Sequence, residues 1–400
     1  MFERLERMPD DPILGLMAAF RADADTRKVD LGVGVYRDDR GETPVLQAVR
    51  QAEQAVLARQ TSKTYVAPAG NAGYNQAMER LVFGEAHPTL KSGRIRTIQA
   101  PGGCGALRVG AELIRVAMPE AVVHVSTPTW ANHVPLLTGS GIKLERYAYY
   151  DPATGGVNFS AMMDALDRLP ARAVVLLHGS CHNPTGADLS EAQWRDVLAL
   201  VSRRGLIPYI DMAYQGLGTG VAEDAYGVRL FTAELPEVLV AVSCSKNFGL
   251  YRERTGALHI ISQTPAAADA VLSQLVRIAR TIYSMPPDHG AAIVQEILSN
   301  ESLRGTWLDE VGSMRTRIAN LRRDVVARLA KAYPQRDFSF IERQRGMFSY
   351  LGVNVDQVRA LRQSHHVYMT DDSRINIAGL RKDNIAYFAD SVAQVLAATK

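Results

Sequence analysis

Between residues 95 and 243 the chain repeats one pattern. A short, uninterrupted run of apolar and β-branched residues is followed by a helical stretch and then by another such run. The runs are Ile95–Ala100, Ala121–Ser126, Ala173–Leu177, Leu206–Ile210 and Val238–Ser243. A strand with no polar face has no side to turn to water, so it must be covered on both faces. The intervening helices supply that cover. The pattern therefore predicts an α/β fold, a mostly parallel central sheet with helices on both faces.

At 400 residues the chain is too long for one simple core. A short helix is expected near Ile13–Arg21, an extended run over Val29–Val35 and a helix from Pro44 to Ala58. A long helical pattern covers Leu303–Ala332. Beyond it, strand-like runs at Phe338–Ile341, Ser349–Gly352 and Arg374–Ile377 alternate with helical ones. The expected organisation is an arm plus part of a small domain over 1–43, a large domain over 44–313 and a small α+β domain over 314–400.

Composition excludes several classes. With 47% apolar and 22% charged residues the chain is neither disordered nor a coiled coil. Lys plus Arg number 45 against 42 Asp plus Glu, with no block of like charge, so no nucleic-acid partner is expected. The basic cluster Arg322, Arg323 and Arg328 is expected on a solvated helix face. Three distant cysteines, Cys104, Cys181 and Cys244, form no disulfide framework and no metal site. The run Ile13–Phe20 is too short to span a membrane, and the N-terminus lacks a signal-like apolar region. A cytoplasmic location with no membrane partner is the expectation.

In open α/β sheets ligands bind at the C-terminal ends of the strands. Five places there carry suggestive chemistry. Pro101-Gly102-Gly103-Cys104-Gly105 follows a strand and opens a helix, which makes either an anion cradle or a plain tight turn. Asn183-Pro184-Thr185-Gly186 is either a turn or a place where the Asn183 amide faces a ligand. His178 and His182, four apart but with no third ligand, make a poor metal pair. Asp211 ends a buried run, where a carboxylate is costly unless it meets a cation, either an arginine or a protonated ligand nitrogen. Tyr214 follows it. Lys246, after Val238–Ser243, is either a snorkelling lysine or a nucleophile able to form a Schiff base. Arg374, beside a short strand, could fork a carboxylate or make a surface ion pair.

Together these residues resemble the class I, fold-type I aminotransferases, which use pyridoxal 5′-phosphate. The similarity is closest to the aspartate and aromatic amino-acid branch. It rests on an ordered set of segments: DPILGL, LGVGVYRDDRGETPVL, PTWANH, HNPTGADLS, IDMAYQGLGTG, SCSKNFGLYRERTGAL and RGMFSYLG followed by DSRINIAGL. The resemblance implies that Lys246 holds the cofactor and moves the proton between substrate Cα and cofactor C4′. It implies that Asp211 pairs with the pyridine nitrogen and that His133 supports Asp211. Tyr214 and Asn183 would meet the phenolic oxygen, and Trp130 would stack on the ring. Gly103, Cys104, Ser243 and Arg254 would bind the phosphate. Arg374, with Gly34 nearby, would clamp the substrate α-carboxylate. Tyr65 and Arg280 would reach the neighbouring subunit's site, which implies a homodimer with shared active sites and no metal.

The resemblance also implies small-molecule partners, an amino acid and a 2-oxo acid. Because aromatic-accepting relatives keep both arginines, the expected reaction moves the amino group of aromatic and dicarboxylic L-amino acids to 2-oxoglutarate. An aspartate-preferring enzyme is the alternative. A β-lyase, racemase or decarboxylase would share the cofactor but has less need of the arginine pair. A cofactor-sensing regulator would need a DNA-binding domain that this sequence does not show. Four features depart from the family pattern: Cys104, Ala131, Met285 and the stretch Val66–Tyr74. Cys104 leaves only its backbone N–H as a firm phosphate donor.

Overall fold

The computed structural model describes residues 1–7 and 12–398. Asp11, which opens the DPILGL segment, and the last two residues lie outside it. The described chain divides into two compact units. One comprises 1–43, 317–343 and 347–400, and the other 44–316 and 344–346.

The larger unit is built on a seven-stranded sheet. Its strands are β1 (Ile95–Pro101), β2 (Val122–Thr127), β3 (Lys143–Ala148), β4 (Val174–His178), β5 (Ile207–Met212), β6 (Val238–Ser243) and β7 (Thr255–Ile261). They lie in the order β1-β7-β6-β5-β4-β2-β3. The β3-β2-β4-β5-β6 portion is parallel, and β7 runs antiparallel between β6 and β1. Every residue of β5, β6 and β7 is buried, as the apolar runs require. Helices α1 (Gly102–Ala117) and α2 (Pro265–Ile282) pack on this sheet and share its core through Ala106, Leu107, Leu275 and Ala279.

Two strands were not legible in the pattern. β3 reads Lys-Leu-Glu-Arg-Tyr-Ala, a charged edge strand whose polar residues face water. β7 opens on Thr-Gly, which reads as a turn, yet Gly256 is needed there. A Cβ at Gly256 would stand 2.5 Å from the Gly102 carbonyl carbon. Asp211 lies inside β5, opposite Ala241 of β6, rather than just beyond the strand.

A 32-residue helix, α3 (Glu301–Ala332), crosses the boundary between the units in sequence. In the smaller unit the strand Val29–Asp30 pairs in parallel with Val367–Tyr368, and Phe348–Tyr350 pairs antiparallel with Arg374–Asn376. The extended run expected over Val29–Val35 is a strand only at Val29–Asp30. The Asp30 carboxylate accepts from Gly32 N and turns the chain, and the Asn376 amide takes the carbonyls of Val33 and Val35 at 2.7 and 2.8 Å. The strand expected at Phe338–Ile341 is instead the start of a short helix, Phe340–Arg343. The Asp337 carboxylate accepts from both the N–H and the hydroxyl of Ser339, which turns the backbone into the helix.

Arg322 corrects a third expectation. Arg323 and Arg328 are exposed, but Arg322 is 2% exposed. Its guanidinium donates to the carbonyls of Ile341 and Phe348 and to Ser349 Oγ, each at 2.7 Å. It ties α3 to the short helix Phe340–Arg343 and to the strand Phe348–Tyr350 of the same unit. A helical period places a residue on a face but does not show what lies over that face. Arg322→Met should strand those acceptors and cost roughly 3 kcal/mol of unfolding free energy. Urea unfolding followed by circular dichroism checks this, and a loss below about 1 kcal/mol contradicts the anchoring role.

The same unit carries an acid-sensitive cluster. The backbone N–H of Asp25, the Tyr368 hydroxyl and His366 hold the Asp23 carboxyl down to about 2. Because the folded value lies below the ordinary one, this contribution is complete above about pH 4 and fades as pH falls toward 2. Asp23→Asn should therefore flatten that limb of an acid-unfolding curve while shifting stability near neutrality to a lower plateau.

Candidate active site

The C-terminal ends of β4, β5 and β6 meet in the middle of the parallel sheet, each next to the other in register. Asp211 on β5 is buried to 8% exposure. Burial by itself raises a carboxyl pKa, but the bond from His133 and the nearby His133, His178 and Lys246 outweigh it. The net effect holds Asp211 below its ordinary value, so the group is an anion. His133 Nε2 stands 3.0 Å from Asp211 Oδ2. A carboxylate only accepts, so Nε2–H is the donor. On the other side of the ring, Thr129 Oγ1 lies 2.8 Å from His133 Nδ1 and 3.2 Å from His178 Nε2. Burial, and then the neighbouring His133, push His178 down to about 3, so it is neutral and fit to accept the Thr129 hydroxyl.

Lys246 follows β6 by three residues, and its Nζ stands 5.2 Å from the centre of the Tyr214 ring. Asn183 Nδ2 donates to Tyr214 Oη at 3.2 Å. That bond occupies a lone pair of the tyrosine oxygen and leaves its own hydrogen to be donated elsewhere. The Trp130 ring stands edge-on to His133, with centres 5.2 Å apart.

A second group of donors surrounds the start of α1. Gly102 takes φ +68°, and a Cβ there would run into the Arg254 guanidinium. A Cβ on Gly103 would lie 3.1 Å from Ser243 Cβ. Arg254 Nη1 donates to Ser245 Oγ at 3.4 Å and to the Tyr251 carbonyl at 3.1 Å. Glycine therefore lets the helix N-terminus, Ser243 and Arg254 close on one point. Cys104 sits in the same turn, and its Sγ accepts from Asn132 Nδ2 at 3.6 Å.

Of the remaining expected residues, Tyr65 and Arg280 belong to the larger unit and Gly34 and Arg374 to the smaller one. Tyr65 is 87% exposed. Arg280, in the last turn of α2, is exposed and donates to Ser284 Oγ at 2.5 Å. In the smaller unit, Arg374 is buried and donates to the Gly32 carbonyl at 2.8 Å. Its guanidinium covers the Phe348 ring at 4.6 Å, and a Cβ on Gly34 would lie 3.0 Å from the same ring. Sequence reasoning did not find Thr129, because its part depends wholly on the two imidazoles it joins.

These residues fit pyridoxal phosphate. The glycine cradle with Arg254 and Ser243 suits a phosphate, where a side chain at Gly102 or Gly103 would block it. The buried anionic Asp211 suits a protonated ring nitrogen. Lys246 supplies an amine just after the strand that neighbours that of Asp211, 5.2 Å from the centre of the Tyr214 ring.

Comparisons with known proteins show the family to which the chain belongs. Residues 26–392 match the family model described as aminotransferase class I and II. The chain is 46% identical to an aromatic-amino-acid aminotransferase of Pseudomonas aeruginosa over 396 residues, covering 99% of each chain. It is 43% identical to an aspartate aminotransferase of the same organism, covering 99% of this chain and 100% of the relative. Its fold is similar to the crystal structure of an aromatic-amino-acid aminotransferase from Burkholderia pseudomallei covalently bound to pyridoxal phosphate. That similarity has a TM-score of 0.97 at 45% identity, covering 99% of both chains. The chain thus belongs to the class I and II aminotransferases, in the aspartate and aromatic amino-acid branch of these pyridoxal phosphate-dependent enzymes.

Proposed function

We propose that this aminotransferase takes the amino group from both aromatic and dicarboxylic L-amino acids and passes it to 2-oxoglutarate. Arg280 carries the proposal. It is exposed at the end of α2 and bonded to Ser284, and no protein carboxylate is recorded as its partner among the described residues. A cation so held can meet a substrate carboxylate or turn aside for an aromatic ring. The similarity to relatives named for each substrate class supports this. An aspartate-preferring enzyme is the second reading, favoured by the 43% identity to the Pseudomonas aspartate enzyme.

When bound, pyridoxal phosphate supplies the electron sink that lets the substrate Cα–H bond break heterolytically. In the proposed scheme Asp211 keeps the proton on the ring nitrogen, and His133 fixes the carboxylate's orientation. Tyr214 donates its remaining hydrogen to the phenolic oxygen, and Asn183 steadies that hydroxyl. Lys246 takes the proton from substrate Cα and returns it at the cofactor's C4′. Trp130 covers one ring face. The N–H groups of Gly103 and Cys104, with Ser243 and Arg254, hold the phosphate. Arg374 takes the substrate α-carboxylate, with Gly34 leaving room beside it. The exposed Tyr65 and Arg280 serve the site of a second copy, so the working form is a homodimer with shared sites. The free thiols Cys104, Cys181 and Cys244 suit a reducing compartment, and we place the enzyme in the cytoplasm. Among the described residues no helix is long and apolar enough to cross a membrane.

Steady-state kcat/KM for aspartate and phenylalanine, with 2-oxoglutarate as acceptor, tests the substrate reading. Comparable values are expected, and a strong aspartate preference would favour the second reading. Arg280→Ala should lower kcat/KM for aspartate about 100-fold and for phenylalanine less than about 10-fold. Equal losses would remove Arg280 from its assigned role. Lys246→Ala should bind the cofactor without a covalent bond, so borohydride treatment followed by denaturation should leave none on the chain. Cofactor retained covalently would refute the lysine assignment.

A further inference from the structure

The glycine-rich segment after Tyr214, Gln215-Gly216-Leu217-Gly218-Thr219-Gly220, supplies no side chain to the scheme above. Its backbone amides converge instead on one side chain. Asp224 accepts from Gly216 N at 2.8 Å, Gly218 N at 2.9 Å, Thr219 N at 2.7 Å and Gly220 N at 3.4 Å. The first two go to Oδ2 and the last two to Oδ1, so both carboxylate oxygens are used. Asp224 is 6% exposed. Burial pushes its carboxyl pKa up, against the pull of the four N–H bonds.

The carboxylate explains the glycines. A Cβ on Gly218 would lie 2.6 Å from Asp224 Oδ1 and 3.0 Å from Cys181 Sγ. Gly216 takes φ +96°, and a Cβ there would lie 2.8 Å from a Val311 methyl. The fold of this loop is transmitted directly to Tyr214. Leu217 N donates to the Tyr214 carbonyl at 2.9 Å, which closes a turn whose amide at Gly216 is already held by Asp224. The flanks are pinned as well. Gln215 Nε2 donates to the Val221 carbonyl at 2.8 Å, and Arg315 Nη1 donates to the Gly216 carbonyl at 3.0 Å. Tyr214 therefore leaves a rigid strand on one side and enters a carboxylate-templated loop on the other.

We propose that Asp224 is a positioning residue for the reaction: by gathering the amides of residues 216–220 it fixes the turn that holds the Tyr214 hydroxyl at the cofactor's phenolic oxygen. This rests on the role given to Tyr214 above. Asp224→Asn keeps the shape but replaces one acceptor oxygen by a donor, which faces two N–H groups and must displace them.

The test is the pH titration of the bound cofactor's visible absorbance in the holoenzyme, for the wild type, Asp224→Asn, Tyr214→Phe and the double variant. A hydrogen bond donated to the phenolic oxygen favours its charged form, so losing it should raise the midpoint. Tyr214→Phe should raise it by roughly 0.5–1 pH unit. Asp224→Asn should move it in the same direction, and the double variant should shift no further than Tyr214→Phe alone. A purely structural role would lower the melting temperature and leave the midpoint in place, as Arg322→Met should. A wild-type midpoint in Asp224→Asn beside a shifted one in Tyr214→Phe would overturn the proposal. An unshifted midpoint in Tyr214→Phe would remove the Tyr214 reading, and the proposal with it. Should Asp224→Asn fail to fold, Gly218→Ala, which drives a methyl against Oδ1, carries the same outcomes.

Discussion

A negative charge buried in the middle of a parallel sheet is the constraint around which the larger unit is organised. Asp211 lies within a strand whose every residue is buried, and water cannot stabilise it there. His133 donates to it directly. Thr129 bridges His133 and His178, and His178 stays neutral because it is buried. The carboxylate is held in its charged form by one firm donor and a field of nearby polar groups. In the proposed function a protonated ring nitrogen would face this carboxylate, so a residue costly to the fold would serve the chemistry.

The other end of the site uses the opposite strategy. The phosphate cradle is made of backbone and space: two glycines, a helix start and an arginine folded against them. The room for an anion here depends on what is absent from Gly102 and Gly103. The loop after Tyr214 uses glycine in a related way, since its amides close on Asp224 only because no side chain intervenes. Two charged groups of opposite role, Asp211 and Asp224, thus sit on either side of Tyr214. One is proposed to meet the cofactor, and the other gathers backbone amides.

The larger unit was legible because its strands are apolar on both faces, and no helix or surface strand reads that way. Strands lacking this signature, the charged edge strand Lys143–Ala148 and the Gly-bearing Thr255–Ile261, were not visible. The smaller unit was read less well because its backbone is set by local side-chain bonds. Asp30, Asp337 and Asn376 turn or cap segments that look extended from their residue types. Arg322 shows the same limit within a helix, where a buried guanidinium and an exposed one look alike until their neighbours are known.

By itself the sequence determined the sheet, through the periodicity of its apolar runs, and the chemical classes at the strand ends, through residue types in a fixed order. Lys246, Asp211, Tyr214 and Asn183 could be singled out by their places after buried strands, while their roles came from the resemblance to a family. Only the tertiary structure decided which of these groups touch. It set the direction of proton donation from His133, joined Thr129 to two imidazoles and gathered four amides onto Asp224. Those outcomes depend on distances that only the fold sets, whether the partners are 4 residues apart, as Thr129 and His133 are, or 78, as His133 and Asp211 are. A hydrogen bond is made or lost within an ångström, which no spacing along a chain can specify.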